Sequence, residues 1–370
     1  MGERCYYILA GETSADILAA QLMCAIKKNS IRPINWIGIG GEKMEQLGLT
    51  SYRPISELSV IGILDAITSY FTLLQIAKEQ VKQIIKSRPK AIFTVDTKQF
   101  SLKFAKLLRR EMDEVGWNVP IIQFVAPTVW AWKKYRAKIF ANLYDQLFVL
   151  FKFEKKYFDE YGLHTTWVGH QIFFDKVNIK KKNIICFLPG SREVEIMKNL
   201  SKMNKILNDI SSEYPNFKFY ILGFDHHKQM INQIIQNPKI KIITNFNLKQ
   251  KIMMQSSLAL ASSGSVTLEL SKYQTPMIVV YDTNYFTRLL IKLFVKVKFC
   301  SLINIFFNKE IIPELIFENF TYTSVMSEFK KLLNDKKLRN KQIKYMSIFS
   351  KKMLNKRNPA ELLVEKIIKK

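Results

Sequence analysis

The sequence predicts an α/β protein of two Rossmann-like domains facing a central cleft, and three observations predict it. Short apolar runs alternate with helical patterns along most of the chain. The runs are apolar on both faces, as in a parallel sheet buried between helix layers. The same grammar restarts after a polar, basic stretch from Asp175 to Lys182. Two strand–turn–helix junctions in the second half then carry small-residue turns, Leu188-Pro189-Gly190-Ser191-Arg192 and Ser262-Ser263-Gly264-Ser265.

The elements follow in order. Cys5–Leu9 reads as a strand, then a small polar loop, then a helix over Ile17–Lys27. Asn35–Ile39 is a strand ending in Gly40-Gly41, and Val60 to Ile85 has helical periodicity. Ala91–Val95, Ile121–Val125, Gln146–Leu150 and Thr165–Val168 are further strands. The second half adds strands at Ile184–Leu188, Phe217–Leu222, Ile240–Ile243, Leu258–Ala261 and Met277–Val280, and turns helical and lysine-rich from about Phe320. A chain of 370 residues has room for two full cores. The expected division is 1–170, a linker over 171–182, a second domain over 183–340, and C-terminal helices over 341–370. Those helices pack back on the first domain or exchange with a partner.

The chain carries 57 Lys and Arg against 31 Asp and Glu, a net charge of +26. Nucleic acid, an anionic lipid surface and lysines scattered over solvated faces all compete to explain it. The basic clusters Lys27-Lys28, Lys155-Lys156 and Lys180–Lys182 are short, with no RNA-stacking or zinc-finger signature, so no nucleic-acid partner is expected. Cys5, Cys24, Cys186 and Cys300 lack metal or redox spacing and read as reduced thiols of a cytosolic protein. No signal peptide is read at the N-terminus. The longest apolar stretches are broken by Asp65 and by Lys292, Lys296 and Lys298, so the chain is expected to lie on a membrane rather than span one.

Several motifs carry candidate chemistry. A strand, a tight small-residue turn and a helix N-terminus aim backbone N–H groups at a phosphate. Gly190, Ser191, Ser263, Gly264 and Ser265 supply two such turns, and Arg192 adds a cation with bidentate reach. Together they suggest a diphosphate site. The absence of a Walker lysine argues against an ordinary P-loop. Glu269, one turn into the second helix, could accept ribose hydroxyls or be an ordinary solvated helix glutamate. Asp96, at the end of a strand, can serve as a general base or as a helix cap. The loop with Glu12 and Ser14 ends the first strand, where Ser14 or Asp16 is expected to cap the following helix. Trp130 and Trp132 could stack on a sugar or pack in a core. Arg288, Lys292 and Lys296 recur every four residues on an apolar helix, either a membrane-surface element or a domain helix with snorkelling lysines. His164, His170, His226 and His227 have no ligand spacing, and no metal or cofactor is expected.

The ordered set of motifs resembles the lipid-A-disaccharide synthases, inverting glycosyltransferases of GT-B fold from Gram-negative bacteria. The stretches that carry the resemblance are AGETSADIL (10–18), GIGGEKM (38–44), ELSVIGILDAI (57–67), VDTKQF (95–100), VAPTVWAWKKYRAKI (125–139), FKFEKKYF (151–158), VGH (168–170), LPGSREVEI (188–196), ASSGSVTLEL (261–270) and VKVKFCSLINIFFNKEIIPEL (295–315). The resemblance implies a UDP-2,3-diacylglucosamine donor and a 2,3-diacylglucosamine 1-phosphate acceptor, joined β-1,6 with release of UDP. It implies Asp96 as catalytic base. Gly190, Ser191, Arg192, Ser263, Gly264, Ser265, Glu269 and Asn304 fall to the UDP-sugar, and Glu12, Ser14 and Trp130 to the acceptor. It also implies peripheral association with the cytoplasmic face of the inner membrane, and leaves a homodimer open. This chain departs from the pattern at Thr97-Lys98-Gln99, which lacks the usual proline and second acid, at Ala15 and at Gln171. A sugar-nucleotide 2-epimerase, or a catalytically silent lipid- or nucleotide-binding protein, are the alternatives.

Overall fold

Seven parallel strands form the first sheet of the computed structural model, in the order β3-β2-β1-β4-β5-β6-β7. They are β1 (Arg4–Ala10), β2 (Ile34–Ile39), β3 (Leu49–Ser51), β4 (Ile92–Val95), β5 (Ile121–Phe124), β6 (Gln146–Val149) and β7 (His164–Trp167). The helices of this half are α1 (Thr13–Asn29), α2 (Glu42–Glu45), α3 (Ser56–Ser59), α4 (Ala66–Ser87), α5 (Lys98–Glu114), α6 (Arg136–Leu143) and α7 (Lys155–Asp159). The structure describes all residues except 1–2, 60–65, 97, 132–133, 176, 295–296, 356–361, 363–364 and 366–370.

β4 and β5 are buried at every position, which is why they read as continuous apolar runs. One face of the sheet packs on α4 through Leu73, Ile76, Ala77, Val81 and Ile84, and on α5 through Phe100, Phe104, Leu108 and Met112. Both sets follow helical spacing. Gly38 in β2 has φ +144°, and a Cβ there would sit 1.9 Å from the Ile8 carbonyl oxygen, so only glycine permits this pairing with β1. The expected helix from Val60 to Ile85 exists as α4 from Ala66, and its first residues lie outside the described set.

The second sheet repeats the topology in the order β10-β9-β8-β11-β12-β13. Its strands are β8 (Ile184–Leu188), β9 (Lys218–Leu222), β10 (Ile240–Ile243), β11 (Leu258–Ala261), β12 (Met277–Tyr281) and β13 (Glu314–Ile316). Its helices are α8 (Glu193–Glu213), α9 (Lys228–Ile234), α10 (Phe246–Gln255), α11 (Val266–Lys272), α12 (Tyr285–Phe294), α13 (Leu302–Phe307), α14 (Tyr322–Asn334) and α15 (Lys336–Met353). α8 buries Ile196, Leu200, Met203, Leu207 and Ile210 against the sheet, and α14 buries Val325, Phe329 and Leu332.

The chain divides into two compact units, Met1–Gln171 with Asn355–Lys370, and Ile172–Leu354. Two boundaries differ from the sequence reading. The basic stretch read as a linker belongs to the second unit: Lys181 Nζ donates to the carbonyls of Met254 (3.1 Å) and Tyr273 (2.9 Å) and to Thr275 Oγ1 (2.6 Å). Lys181 thereby anchors the stretch, while Asp175, Asn178, Lys180 and Lys182 stay exposed. The helix that continues past residue 341 also stays in the second unit, where Gln342 bridges the Met277 N–H and carbonyl. The chain rejoins the first unit from Asn355, whose amide donates to the Trp167 carbonyl at 2.9 Å.

Candidate active site

In each sheet the strand order reverses once, between β1 and β4 and between β8 and β11. Ligands of open α/β sheets bind outside the carboxyl ends of strands at such switch points. The acid loop around Asp96 and the two small-residue turns lie at these two edges.

In the first unit, Ala10 pairs with Val95, so the Gly11-Glu12 loop and Asp96 leave neighbouring strands side by side. Asp96 has φ +43°, and Val125, at the end of the adjacent β5, has φ +74°. Left-handed backbone is a genuine outlier for a β-branched residue and persists only where its surroundings over-determine it. Here they do. Val125 N–H donates to the Phe148 carbonyl at 3.0 Å, Gln123 Nε2 donates to the Val125 carbonyl at 3.0 Å, and Asp96 N–H donates to the Phe124 carbonyl at 3.1 Å. The expected strand over Ile121–Val125 therefore stops at Phe124.

The capping expectation for the first helix is corrected. Glu12 is the N-cap of α1 and makes no side-chain cap bond, and Ser14 is exposed. Asp16 instead turns inward. Its carboxylate accepts the N–H groups of Gly41 (2.9 Å), Lys43 (3.0 Å) and Met44 (3.2 Å), capping α2 and tying the two glycine-containing loops together.

Trp130 does not stand alone. Its indole Nε1–H donates to Glu154 Oε1 at 3.3 Å, and its ring meets Phe153 edge-on at 5.4 Å. Glu154 is 3% exposed, and its other oxygen accepts the Phe151 N–H at 3.1 Å. Burial pushes its carboxyl up to about 8, hydrogen bonds from Phe151, Trp130 and Leu150 pull against that, and the nearby Asp96 charge raises it further. The sequence reading gave Glu154 no role.

In the second unit the two predicted turns are neighbours: Ser262 N–H donates to the Leu188 carbonyl at 2.8 Å. Gly190 has φ +132°, and a Cβ there would crowd Glu195 at 3.3 Å. Arg192, 73% exposed at its side chain, caps α8 by position and pairs with Glu195 at 2.8 Å. Glu195 is buried and also accepts the Tyr281 hydroxyl at 3.3 Å, so a structured acid orients an otherwise free-standing guanidinium. Asn199 locks the turn from below, donating to the Pro189 carbonyl (2.6 Å) and accepting the Asp282 N–H (2.9 Å). Gly264 and Ser265 are exposed at the start of α11, while Ser263 Oγ bonds the Cys300 carbonyl at 3.2 Å. Glu269 is half-buried; burial raises its carboxyl, and Lys249 and Lys272 lower it.

Asn304 is fully buried. Its amide donates to the Ile312 carbonyl (2.7 Å) and Glu314 (2.8 Å) and accepts the N–H groups of Ile311 and Ile312. Glu314 also accepts the N–H groups of Cys300 (2.7 Å) and Ser301 (2.9 Å). Asn304 thus fixes the Cys300-Ser301 turn that touches Ser263, and meets the glycine loop through that turn.

The basic helix differs from its expected form. Arg288 pairs with Asp282 at 2.6 Å and Glu318 at 3.3 Å, and Lys292 pairs with Glu318 at 2.8 Å. Besides Lys292, α12 exposes three apolar side chains, Tyr285, Leu289 and Leu293, at 72%, 43% and 65% exposure. Lys296 lies outside the described residues.

Comparison with known proteins decides the family. The model of the family described as lipid-A-disaccharide synthetase matches residues 6–368. The lipid-A-disaccharide synthase of Rickettsia prowazekii is 32% identical over 378 residues, covering 98% of this chain and 98% of that one. The chain belongs to the lipid-A-disaccharide synthetase family. Among solved structures, this lipid-A-disaccharide synthetase family member is similar to the UDP-GlcNAc 2-epimerase from Neisseria meningitidis, with a TM-score of 0.64, 11% identity and coverage of 99% and 100%. It is also similar to MurG of Acinetobacter baumannii, with a TM-score of 0.57, 11% identity and the same coverage. Likeness at that identity speaks for the shared two-domain fold alone.

Proposed function

We propose that the chain is an inverting glycosyltransferase that condenses UDP-2,3-diacylglucosamine with 2,3-diacylglucosamine 1-phosphate to the β-1,6-linked disaccharide 1-phosphate and UDP. The observation that carries this reading is the whole-length family match. The placement of Asp96 and of the two small-residue turns at the switch points supports it.

In this reading the acceptor hydroxyl oxygen forms a bond to the donor's anomeric carbon as that carbon's bond to the UDP oxygen breaks on the opposite face. Asp96 takes the hydroxyl proton. The leaving diphosphate collects the negative charge, and Arg192 with the amides of Gly190, Ser191, Ser263, Gly264 and Ser265 stabilises it. Glu269 accepts the ribose hydroxyls. Asn304 acts through the turn it fixes. Glu12, Ser14 and Trp130 serve the acceptor. Both substrates are acylated, so the enzyme works at the cytoplasmic face of the inner membrane, with the exposed apolar side chains of α12 resting on lipid. No helix among the described residues is long and apolar enough to cross a membrane.

Purified protein incubated with both substrates should release UDP and yield a disaccharide by mass spectrometry. Release of UDP without a disaccharide, or a C2 epimer of the donor sugar, would reject the reading.

A further inference from the structure

β4 and β5 are buried at every position, yet each carries one polar residue inside its apolar run, Thr94 and Gln123. The two are register partners across the strand pair. Thr94 Oγ1 donates to Gln123 Oε1 at 2.5 Å, with Thr94 fully buried and Gln123 2% exposed. The Thr94 hydroxyl also stands 3.4 Å from that of Tyr144, which donates to the Ser101 carbonyl in the first turn of α5 at 3.0 Å. The core itself does not require this pair, because replacing both partners of a buried hydrogen bond by apolar groups of the same shape is nearly neutral.

What the pair supplies is the other end of the Gln123 amide. Nε2 donates to the carbonyl of Phe124 at 3.3 Å and to that of Val125 at 3.0 Å. The Phe124 carbonyl is the one that accepts the Asp96 N–H at 3.1 Å, and Val125 holds the left-handed φ of +74°. Asp96 stands at φ +43°. Its backbone is therefore bracketed. β4 enters it from Thr94, α5 leaves it toward Ser101, β5 accepts its N–H, and all three points belong to one hydrogen-bonded set.

We infer, on the reading of Asp96 as base, that Gln123 is a positioning residue for it and that Thr94 holds the Gln123 amide in place. Remove the Thr94 hydroxyl and the amide oxygen is buried without its donor, a penalty that drives the side chain off the two carbonyls. Left-handed backbone on two non-glycine residues then loses what holds it and relaxes. A shift of about 1 Å in a reacting group costs roughly a hundred-fold in rate.

Three substitutions test this. Thr94→Val deletes the hydroxyl and keeps the shape, Thr94→Ser keeps the hydroxyl, and Gln123→Leu deletes the amide. Thr94→Val and Gln123→Leu should lower kcat roughly ten- to a hundred-fold. KM for donor and acceptor should stay within about two-fold of wild type, as should kcat in Thr94→Ser. In an Asp96→Asn background neither Thr94→Val nor Gln123→Leu should remove more than about a further two-fold, because both act through the missing carboxylate. A loss in that background as large as in wild type means that the pair acts on the fold at large and overturns the inference. Full kcat in both Thr94→Val and Gln123→Leu overturns it too.

A second readout needs no turnover. Hydrogen exchange at the Asp96 amide, protected by the Phe124 carbonyl, should quicken about ten-fold or more relative to the amides of β2 in Thr94→Val and Gln123→Leu, and match wild type in Thr94→Ser. Unchanged exchange at Asp96 in both of the first two variants overturns the inference. Should Asp96→Asn alone keep full turnover, the base reading fails, while exchange still decides whether Thr94 and Gln123 hold residue 96.

Discussion

The two switch points share a strand order and differ in almost everything placed on it. At the β1/β4 edge the residues are acids and aromatics, and non-glycine residues hold left-handed backbone, Asp96 at φ +43° and Val125 at φ +74°. At the β8/β11 edge the residues are glycines and serines, the positive φ falls on Gly190 and Gly264, and the charge at the rim is the arginine Arg192. Left-handed backbone on a non-glycine residue persists only where surrounding hydrogen bonds hold it, as those to Phe124 and Phe148 do here. Glycine turns instead leave several N–H groups open to an anion. The difference suits a division of labour in which the first unit handles the proton and the second the diphosphate.

The largest effect tests that division. Asp96→Asn should lower kcat roughly a hundred- to ten-thousand-fold, the usual share of a general base, and leave donor affinity nearly intact. Retention of more than about half the turnover under chemistry-limited conditions would remove the base from the first unit.

The next effect lies in the second unit. Arg192→Ala should weaken UDP binding by about 1.5–3 kcal/mol, as for a lost charged hydrogen bond, and Glu269→Ala by less, because it faces neutral hydroxyls. Arg192→Ala also leaves the buried Glu195 without its cation, so Glu195→Gln should mimic part of the loss by freeing the guanidinium. Unchanged UDP affinity by calorimetry in both Arg192→Ala and Glu269→Ala would break the comparison outright.

A smaller effect concerns lipid. The exposed apolar side chains of α12 belong to the second unit, and in the first unit Phe71 on α4 is 66% exposed. Losing two half-exposed leucines removes roughly 1 kcal/mol each of apolar contact. Leu289→Ser with Leu293→Ser should therefore weaken sedimentation with anionic liposomes about ten-fold or more without altering the circular dichroism spectrum. Because Arg288 and Lys292 are already paired, salt should matter less than an unpaired basic helix would imply. Liposome binding that survives the double change, and is abolished by salt, would return the membrane contact to scattered lysines.

The fold was legible because parallel strands announce themselves: β4, β5, β8 and β11 are buried on both faces, and their runs end at the loops that matter. Turn chemistry made the second unit's edge legible too, since Gly190 and Gly264 sit where φ is positive. The supporting residues were not legible. Asp16 looked like a cap for its own helix, and no local pattern shows that it caps α2 from 25 residues away. Glu154 sits in an aromatic, lysine-flanked segment with no role in the sequence reading; its Trp130 partner is brought to it only by tertiary structure. Asn199 and Glu195 likewise had no role in the sequence reading, and their partners Pro189 and Arg192 reach them only once the turn folds onto α8. The basic periodicity of α12 was real, but Asp282 and Glu318, which pair with Arg288 and Lys292, come from other segments that local pattern does not reveal.

The subtlest difference between the units should appear in their stability against pH. Glu154 holds its proton in the folded first unit up to about 8, whereas an ordinary glutamate releases it near 4.5. Between those values the folded state binds more protons than the unfolded one, so stability is present at the low end and lost as pH rises through about 8. His170 works the other way, its contribution being lost as pH falls from about 6.5 through about 4. Above about 6.5 that term is complete, and Glu154 acts alone of the two. In the second unit Glu269 is also raised, but Lys249 and Lys272 pull it back, and Lys181, lowered to about 8, adds stability as pH rises from there toward 10.5. From about pH 6.5 to about 8, amide exchange protection should therefore fall in β4 and β5 more than in β8 and β11. Glu154→Gln should flatten the first unit's profile. Equal loss in both sheets, or a slope that persists in Glu154→Gln, would show that the acidic character of the first edge carries no energetic signature of its own.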